Sequence, residues 1–232
     1  MPLCEQRAFR LEQRLNVRYT IDMKHKAFTE IVAHTCRVPQ QTVTLFARNL
    51  KEAGLLTSGA RGVNAPEMTV LDLARMTIAL CATDRPSEAE ISVRRYAGAR
   101  SDTATTIAIN EFKHEVPAGE CLEEILTGIL GLPFMGLRAL NPEFEVSWSE
   151  ECATLTIQRQ RIRFAVSPEV EYPLFGAQGI RTTRGLGSHD LCEMALPFAL
   201  EAEGRSTWEQ MEADGSLQAV ATRHIFKMRG DD

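Results

Sequence analysis

Hydrogen-bonding side chains recur at helical spacing within residues 39–53, at Gln40, Gln41, Thr44 and Arg48. Glutamine can pair bidentately with adenine, and arginine can do the same with N7 and O6 of guanine. Threonine can offer its methyl group to thymine or its hydroxyl group to a phosphate. These residue types can therefore read base edges in double-stranded DNA, provided that one helix presents them together.

Two helices, expected at residues 28–36 and 39–53, would position these side chains. The inward stripe of the second helix consists of apolar residues at helical spacing, namely Val43, Phe46 or Ala47, and Leu50. The polar residues then point outward, with Leu45 beside them. Gly54 follows the second helix, where a left-handed cap is expected.

The break between the two helices is short and suits helices that cross at a fixed angle. Ala33 is a small residue where the second helix approaches the first, and Pro39 suits the first turn of the second helix. The supporting apolar positions are Val32, Cys36 and Val38. Many helix-turn-helix motifs place glycine in the turn, where this chain has Arg37, so we expect a slightly longer or differently shaped turn.

A leucine–glycine–leucine ending and a glycine-rich loop follow, in the run Leu50-Lys51-Glu52-Ala53-Gly54-Leu55-Leu56 and then Thr57-Ser58-Gly59-Ala60-Arg61-Gly62. With the two helices, this run resembles winged helix-turn-helix DNA-binding domains of the broad MarR and ArsR type. The resemblance covers residues 25–68, under a fifth of the chain. We expect Leu55 and Leu56 to be strand-like and the residues after them to form a polar hairpin, the wing.

The resemblance implies a recognition helix in the major groove and a wing on the backbone or the adjacent minor groove. Thr42 and Asn49 lie toward the flanks of the helix and are expected to reach phosphates, and Arg61 lies at the wing tip. The predicted DNA-binding residues are Gln40, Gln41, Thr42, Thr44, Arg48, Asn49, Ser58, Arg61 and Asn64.

The formal net charge of −5 at pH 7 is unusual for a DNA-binding protein, but the charge is unevenly distributed. Residues 1–65 carry ten Lys and Arg against five Asp and Glu, whereas residues 66–232 carry 16 against 26. A basic N-terminal part can meet phosphates while an acidic remainder limits indiscriminate binding. A helix expected at residues 5–18 carries four arginines on one face, which suits phosphates and plain solvation equally well: Arg7, Arg10, Arg14 and Arg18.

The whole chain predicts an α+β fold, an N-terminal winged helix-turn-helix followed by an α+β domain with an antiparallel sheet. Beyond residue 85 we expect a helix from a Ser87-x-x-Glu90 cap to Tyr96 and further helices at 119–131 and 189–196. We expect strands at 143–149 and 153–166, with turns near Glu150 and Gln160. Residues 131–142 are expected to form a loop. Pro197 is expected to end or kink the helix at 189–196, and another helix is expected to start at Ser206-x-x-Glu209. A small polar stretch at 97–102 predicts a DNA-binding domain at 1–100 and an α+β domain at 101–232 for oligomerisation, effector or partner binding.

A further helix, expected at residues 70–82, starts at a Thr69-x-x-Asp72 capping arrangement and is apolar on most sides. Such a helix packs either inside the domain or against a second copy. Because DNA-binding regulators usually pair half-sites, we expect a homodimer or a higher homo-oligomer.

Several classes of protein are excluded or disfavoured. No apolar run approaches 18 residues and the N-terminus has no secretory signal, so we expect no membrane partner and a cytoplasmic location. The six cysteines form no Cys-x-x-Cys pair, which excludes zinc-ribbon and thioredoxin sites. His189 with Cys192 or Glu193 could form half of a metal or Cys–His site, and the loop GIRTTRGLGSHD could hold phosphate but lacks the Lys-Ser/Thr of a P-loop. We therefore predict no catalytic residue, metal or cofactor.

Three functions fit these observations. The leading hypothesis is a sequence-specific transcriptional regulator. The alternative is a phage or mobile-element DNA-binding protein with a packaging or architectural role, similar to a small terminase subunit. The third is an enzyme acting on DNA that uses the module only for targeting, although no acidic metal cluster or nucleophile–base pair stands out.

Overall fold

The computed structural model describes residues 23–59, 65–109, 112–132, 134–148, 150–166 and 183–203. These residues form seven α-helices, a five-stranded antiparallel sheet and a separate two-stranded hairpin. The α+β class is therefore confirmed. The helices predicted at 5–18 and from Ser206 lie outside the described residues.

The helices are α1 (His25–Cys36), α2 (Gln40–Glu52), α3 (Val70–Ala82), α4 (Ala89–Ala97), α5 (Leu122–Leu130), α6 (Phe134–Leu140) and α7 (Ser188–Glu203). The strands are β1 (Arg100–Ser101), β2 (Thr105–Ile109), β3 (Phe112–Val116), β4 (Glu143–Ser147), β5 (Cys152–Ile157), β6 (Gln160–Ala165) and β7 (Thr183–Leu186). The large sheet has the order β1-β6-β5-β4-β7, and β2 pairs only with β3.

Helices α1 and α2 are joined by a tight turn whose central residue is Arg37. Its backbone adopts the left-handed conformation, with φ 54° and ψ 36°. The Arg37 N–H donates to the His34 carbonyl and the Val38 N–H donates to the Ala33 carbonyl, at 3.2 and 3.1 Å. This pair of bonds is a Schellman motif, which normally places glycine at the left-handed position. The expected change in the turn is therefore wrong, because arginine takes the conformation that glycine would take.

Helix α2 ends in the same way. The predicted cap at Gly54 is confirmed, since its φ is 71° and the Leu55 N–H donates to the Leu50 carbonyl at 2.8 Å. The prediction of a strand at Leu55 and Leu56 is wrong, because the backbone there completes the helix cap and joins no sheet.

Helix α3 occupies the centre of the molecule. It contacts α2, α4, α5, α7, β4 and β7, and most of its residues are buried. The capping box predicted at its start is confirmed, with Thr69 and Asp72 bonded reciprocally. Trp148 donates from Nε1 to the Cys81 carbonyl near its other end, at 2.8 Å. The apolar surface of α3 is therefore used inside one chain and gives no support to a dimer.

Two local predictions fail where Gly, Pro or Ser lies beside a short helix. The loop expected at 131–142 contains α6, which buries Leu137 and Leu140, while Gly131 and Pro142 lie outside it. Ser87 caps no helix, since it lies inside a 3-10 turn and α4 begins two residues later.

The predicted helices at 119–131 and 189–196 are confirmed as α5 and α7, but α7 continues through Pro197 to Glu203. The strands predicted at 143–149 and 153–166 are confirmed as β4, β5 and β6. The second turn lies at Gln158 and Arg159 rather than Gln160, with φ of 51° and 68°, as a two-residue hairpin turn requires.

One hydrophobic core extends from Met23 to Phe198, across the boundary predicted at residue 100. Helix α1 packs on α7, where the Cys36 thiol lies 3.6 Å from the Met194 sulfur. The division into domains 1–100 and 101–232 stays a prediction. In the described part of the chain, no helix is long and apolar enough to cross a membrane.

Replacing Arg37 with glycine should raise the free energy of unfolding by about 1 kcal/mol, because glycine adopts the left-handed conformation without the Cβ penalty. Urea denaturation of the two proteins, with an unchanged slope against denaturant, measures this difference. Arg37→Ala is the matched control, since it removes the same side chain but keeps the Cβ atom. A less stable glycine variant would mean that the arginine side chain itself stabilises the turn.

Candidate nucleic-acid interface

Helix α2 has one fully buried face and one exposed face. Val43, Phe46, Ala47 and Leu50 are at most 1% exposed, as the apolar stripe predicts. The exposed face carries Gln40, Gln41, Thr44, Leu45, Arg48 and Glu52. Leu45 is 49% exposed, and no other large apolar side chain among the described residues is as open to solvent. A single exposed leucine is common on protein surfaces and does not by itself indicate a binding partner.

The first turn of this face is held in place by hydrogen bonds within the protein. The Thr44 hydroxyl donates to the Gln40 carbonyl at 2.8 Å, so within the protein this hydroxyl is already bonded. Gln40 donates from Nε2 to Glu30 on α1, at 3.4 Å. Gln41 is exposed and has no hydrogen bond among the described residues. Gln41 is therefore the glutamine with a free amide.

Arg48 forms an ion pair with Glu52 one helical turn later, at 2.8 Å between Nε and Oε1. Both side chains are exposed, and the hydrogen bond that Arg48 donates to Glu52 raises the pKa of Arg48. Glu52 was not among the predicted site residues. The spacing of four residues on a helix is the sequence signal that could have identified it.

Asn49 and Thr42 face the flanks of α2 and are only partly exposed. The Asn49 amide donates to the Pro86 carbonyl at 2.6 Å, which connects α2 to the 3-10 turn (Pro86–Glu88) before α4. This bond gives Asn49 a role within the fold.

Two residues of α3 hold the segment that follows α2. Neither is among the predicted site residues. Arg75 donates from Nη1 to the Leu55 carbonyl at 2.9 Å and pairs with Glu123 on α5 at 2.6 Å. The Asp72 carboxylate accepts from the Thr57 N–H at 2.7 Å. The sequence signal that could have identified Asp72 and Arg75 is a pair of charged residues in an otherwise apolar helix.

The predicted wing is described only at its two ends. Residues 53–59 and 65–69 contain no strand, and Ser58 is exposed. A Cβ atom on Gly59 would lie 3.0 Å from the Pro66 ring, so the two ends of the loop meet. Arg61 and Asn64 lie outside the described residues, and the wing stays a prediction.

Mixed charges surround α2. Burial lowers the pKa of Lys51, and the charge of Asp72 opposes this effect. Burial also lowers the pKa of His25, and the positive charge of Lys51 adds to it, so the imidazole is neutral at pH 7. Arg37 in the turn before α2 and Arg48 in its C-terminal half are both exposed and add positive charge to this surface.

The other candidate sites have structural explanations. His189 lies 3.9 Å from Glu193, and the described residues contain no group of three or more His, Cys, Asp or Glu that could hold a metal. Part of the predicted loop GIRTTRGLGSHD is a strand, because Thr183–Leu186 form β7. A Cβ on Gly185 would lie 2.5 Å from the Phe144 carbonyl, so the pairing of β7 with β4 requires this glycine. The Gly187 N–H donates to Asp190, so a carboxylate already occupies the start of α7.

Comparisons of the chain with protein-family models, with curated proteins and with solved structures found no match. The resemblance to winged helix-turn-helix domains therefore stays a prediction from the sequence motif.

Arg75→Met should lower the free energy of unfolding by about 2 kcal/mol, because it leaves the Leu55 carbonyl and the largely buried Glu123 without their donor. Chemical denaturation measures this loss. The matched control is Arg94→Met, because Arg94 also donates to a carbonyl, that of Ala53, and pairs with Glu90, but is 45% exposed. A change there within about 0.5 kcal/mol is expected, and equal losses at both positions would contradict the anchoring role of Arg75.

Proposed function

We propose that this protein binds double-stranded DNA through α1 and α2, with α2 as the recognition helix in the major groove. One observation carries the proposal: α2 buries one face completely and exposes on the other a patch formed by Gln41, Thr44, Leu45 and Arg48. A helix of this shape fits the major groove, which is about 12 Å wide. The short turn at Arg37 supports a fixed crossing of the two helices.

The chemistry of the patch suits direct reading of bases. Arg48 would pair with guanine and Gln41 with adenine, each through two hydrogen bonds. The Leu45 side chain and the Thr44 methyl group would pack on thymine methyl groups. Phosphate contacts would come from Thr42, Ser58, Arg61 and Asn64, which lie to either side of the base-reading face or in the predicted wing.

DNA binding by Arg48 requires that the ion pair with Glu52 open. An exposed pair of this kind is worth about 0.2–1 kcal/mol, whereas a bidentate arginine–guanine contact contributes about 1–3 kcal/mol of discrimination. Replacing the ion pair with Glu52 by a contact between Arg48 and DNA is therefore favourable at guanine and close to neutral at other bases. Glu52 weakens binding to all sequences and leaves the preference for guanine intact.

Sequence-specific reading favours a transcriptional regulator, and we propose that the protein is cytoplasmic. Among the described residues Cys36, Cys81, Cys121, Cys152 and Cys192 are free thiols, which suits a reducing compartment.

Arg48→Ala should relax the preference at one base position and weaken binding to the selected site by about 1–3 kcal/mol. Selection of bound sequences from a random DNA pool, followed by titration of the selected site at fixed salt, measures both effects. Arg94→Ala is the control, because Arg94 is an exposed arginine paired with a glutamate at the same spacing on α4. Equal recovery of random DNA by wild type and Arg48→Ala would rule out direct reading by α2.

Glu52→Gln should tighten DNA binding about twofold to fivefold at low salt, because it frees Arg48 and removes a negative charge from the binding face. Titration against the selected site and against unrelated DNA should give similar gains. Glu90→Gln frees Arg94 in the same way and should leave affinity unchanged. An unchanged or weaker Glu52→Gln complex would place this face of α2 away from DNA.

A further inference from the structure

We propose that the outer face of the five-stranded sheet is the surface through which two copies of this chain associate face to face. Every second residue of β4, β5 and β6 faces away from the core. On this outer face β4 carries Glu143 and Glu145, and β6 carries Arg161 and Arg163. An acidic strand and a basic strand thus lie on opposite sides of β5, the central strand of the sheet.

The strand register arranges these charges in two rows. Thr154 of β5 lies opposite Glu145 on one side and Arg163 on the other. Thr156 lies opposite Glu143 and Arg161. Each row therefore runs from acid through threonine to base, in the same order.

This arrangement is self-complementary under one kind of two-fold symmetry. A two-fold axis parallel to β5 and in the plane of contact places β6 of one copy over β4 of the other, and keeps positions along the strands unchanged. Arg163 then meets the second copy's Glu145, and Arg161 meets the second copy's Glu143. The perpendicular in-plane axis would set arginine against arginine, so the charges select the first symmetry.

The charges are available for such contacts. Glu143, Glu145 and Arg161 have no ion pair with any described residue. Arg163 has an exposed ion pair of 3.8 Å to Asp102 and also contacts the Cys152 side chain near Glu150, so it would exchange weak contacts within the chain for the second copy's Glu145. Within one copy the acidic and basic strands are about 9.6 Å apart, since neighbouring strands are spaced by about 4.8 Å. Packed sheets lie about 10 Å apart, a gap that arginine and glutamate side chains can bridge together.

The same features argue for a second copy as the partner. A nucleic acid would be attracted by β6 but repelled by Glu143 and Glu145. The face is about 19 Å across five strands and about 17 Å along five residues, which gives roughly 300 Å². This area is much smaller than the roughly 800 Å² per partner of a standard stable complex. The association is therefore weak, dependent on concentration, and disrupted by salt.

Two charge-reversed variants test this interface without DNA, so its outcome is independent of the proposed function. The acidic variant is Arg161→Glu with Arg163→Glu, and the basic variant is Glu143→Arg with Glu145→Arg. Sedimentation of the wild type at low salt should show reversible dimers that dissociate as salt is added. Each variant alone should dimerise at least about tenfold more weakly, because all four facing pairs become repulsive.

An equimolar mixture of the two variants, one of them fluorescently labelled, should form heterodimers at least as readily as the wild type forms homodimers. Every facing pair in the mixture is again opposite in charge, so recovery also shows that both variants are folded. A strictly monomeric wild type, or a mixture that stays monomeric, would overturn the proposal.

Discussion

The Asp72 carboxylate accepts hydrogen bonds from the Thr57 N–H, the Thr69 N–H and the Thr69 hydroxyl group, at 2.7, 2.7 and 2.9 Å, and the residue is only 2% exposed. It thereby caps α3 and fixes the chain just after α2. Arg75, one turn along α3, holds the Leu55 carbonyl two residues before Thr57 and pairs with Glu123 on α5. A buried carboxylate is stable only when its oxygens are bonded, so the start of α3 and the exit from α2 form together. The orientation of α2 on the body depends on this junction.

The exposed face of α2 contributes little to the stability of the fold. Four buried residues hold the helix against the core, and Asn49 ties its flank to the turn before α4. The exposed positions Gln41, Leu45 and Arg48 make few contacts within the fold. Substitution there should have a small cost in stability, since exposed positions usually change stability by under about 0.5 kcal/mol. The chain thus separates the residues that place the helix from those that would contact a partner.

Features that arise from neighbouring residues could be predicted from the sequence. The apolar stripe of α2, the Gly54 cap and the Thr69 capping box are local patterns, and the outward face follows as the complement of the stripe. The features that failed or were missed depend on distant residues. Arg37 adopts a glycine conformation because packing of α1 and α2 fixes the turn, and the seven-residue helix α6 is stabilised by burial of Leu137 and Leu140. Arg75 meets Glu123 across 48 residues, and Asn49 meets Pro86 across 37, separations that no spacing rule covers.

The packing of α1 on α7 has a consequence for how the protein would search DNA. The contact between Cys36 and Met194 joins α1 to the C-terminal part of the described chain, within one continuous core. A DNA-binding domain on a flexible linker can sample many orientations relative to the rest of its protein, and it loses that conformational freedom when it binds. In this protein, α1 and α2 already lost that orientational entropy when the chain folded. In the proposed complex, the whole molecule would have to turn for α2 to enter a groove, which would slow the search but let each correct encounter retain more of its binding energy.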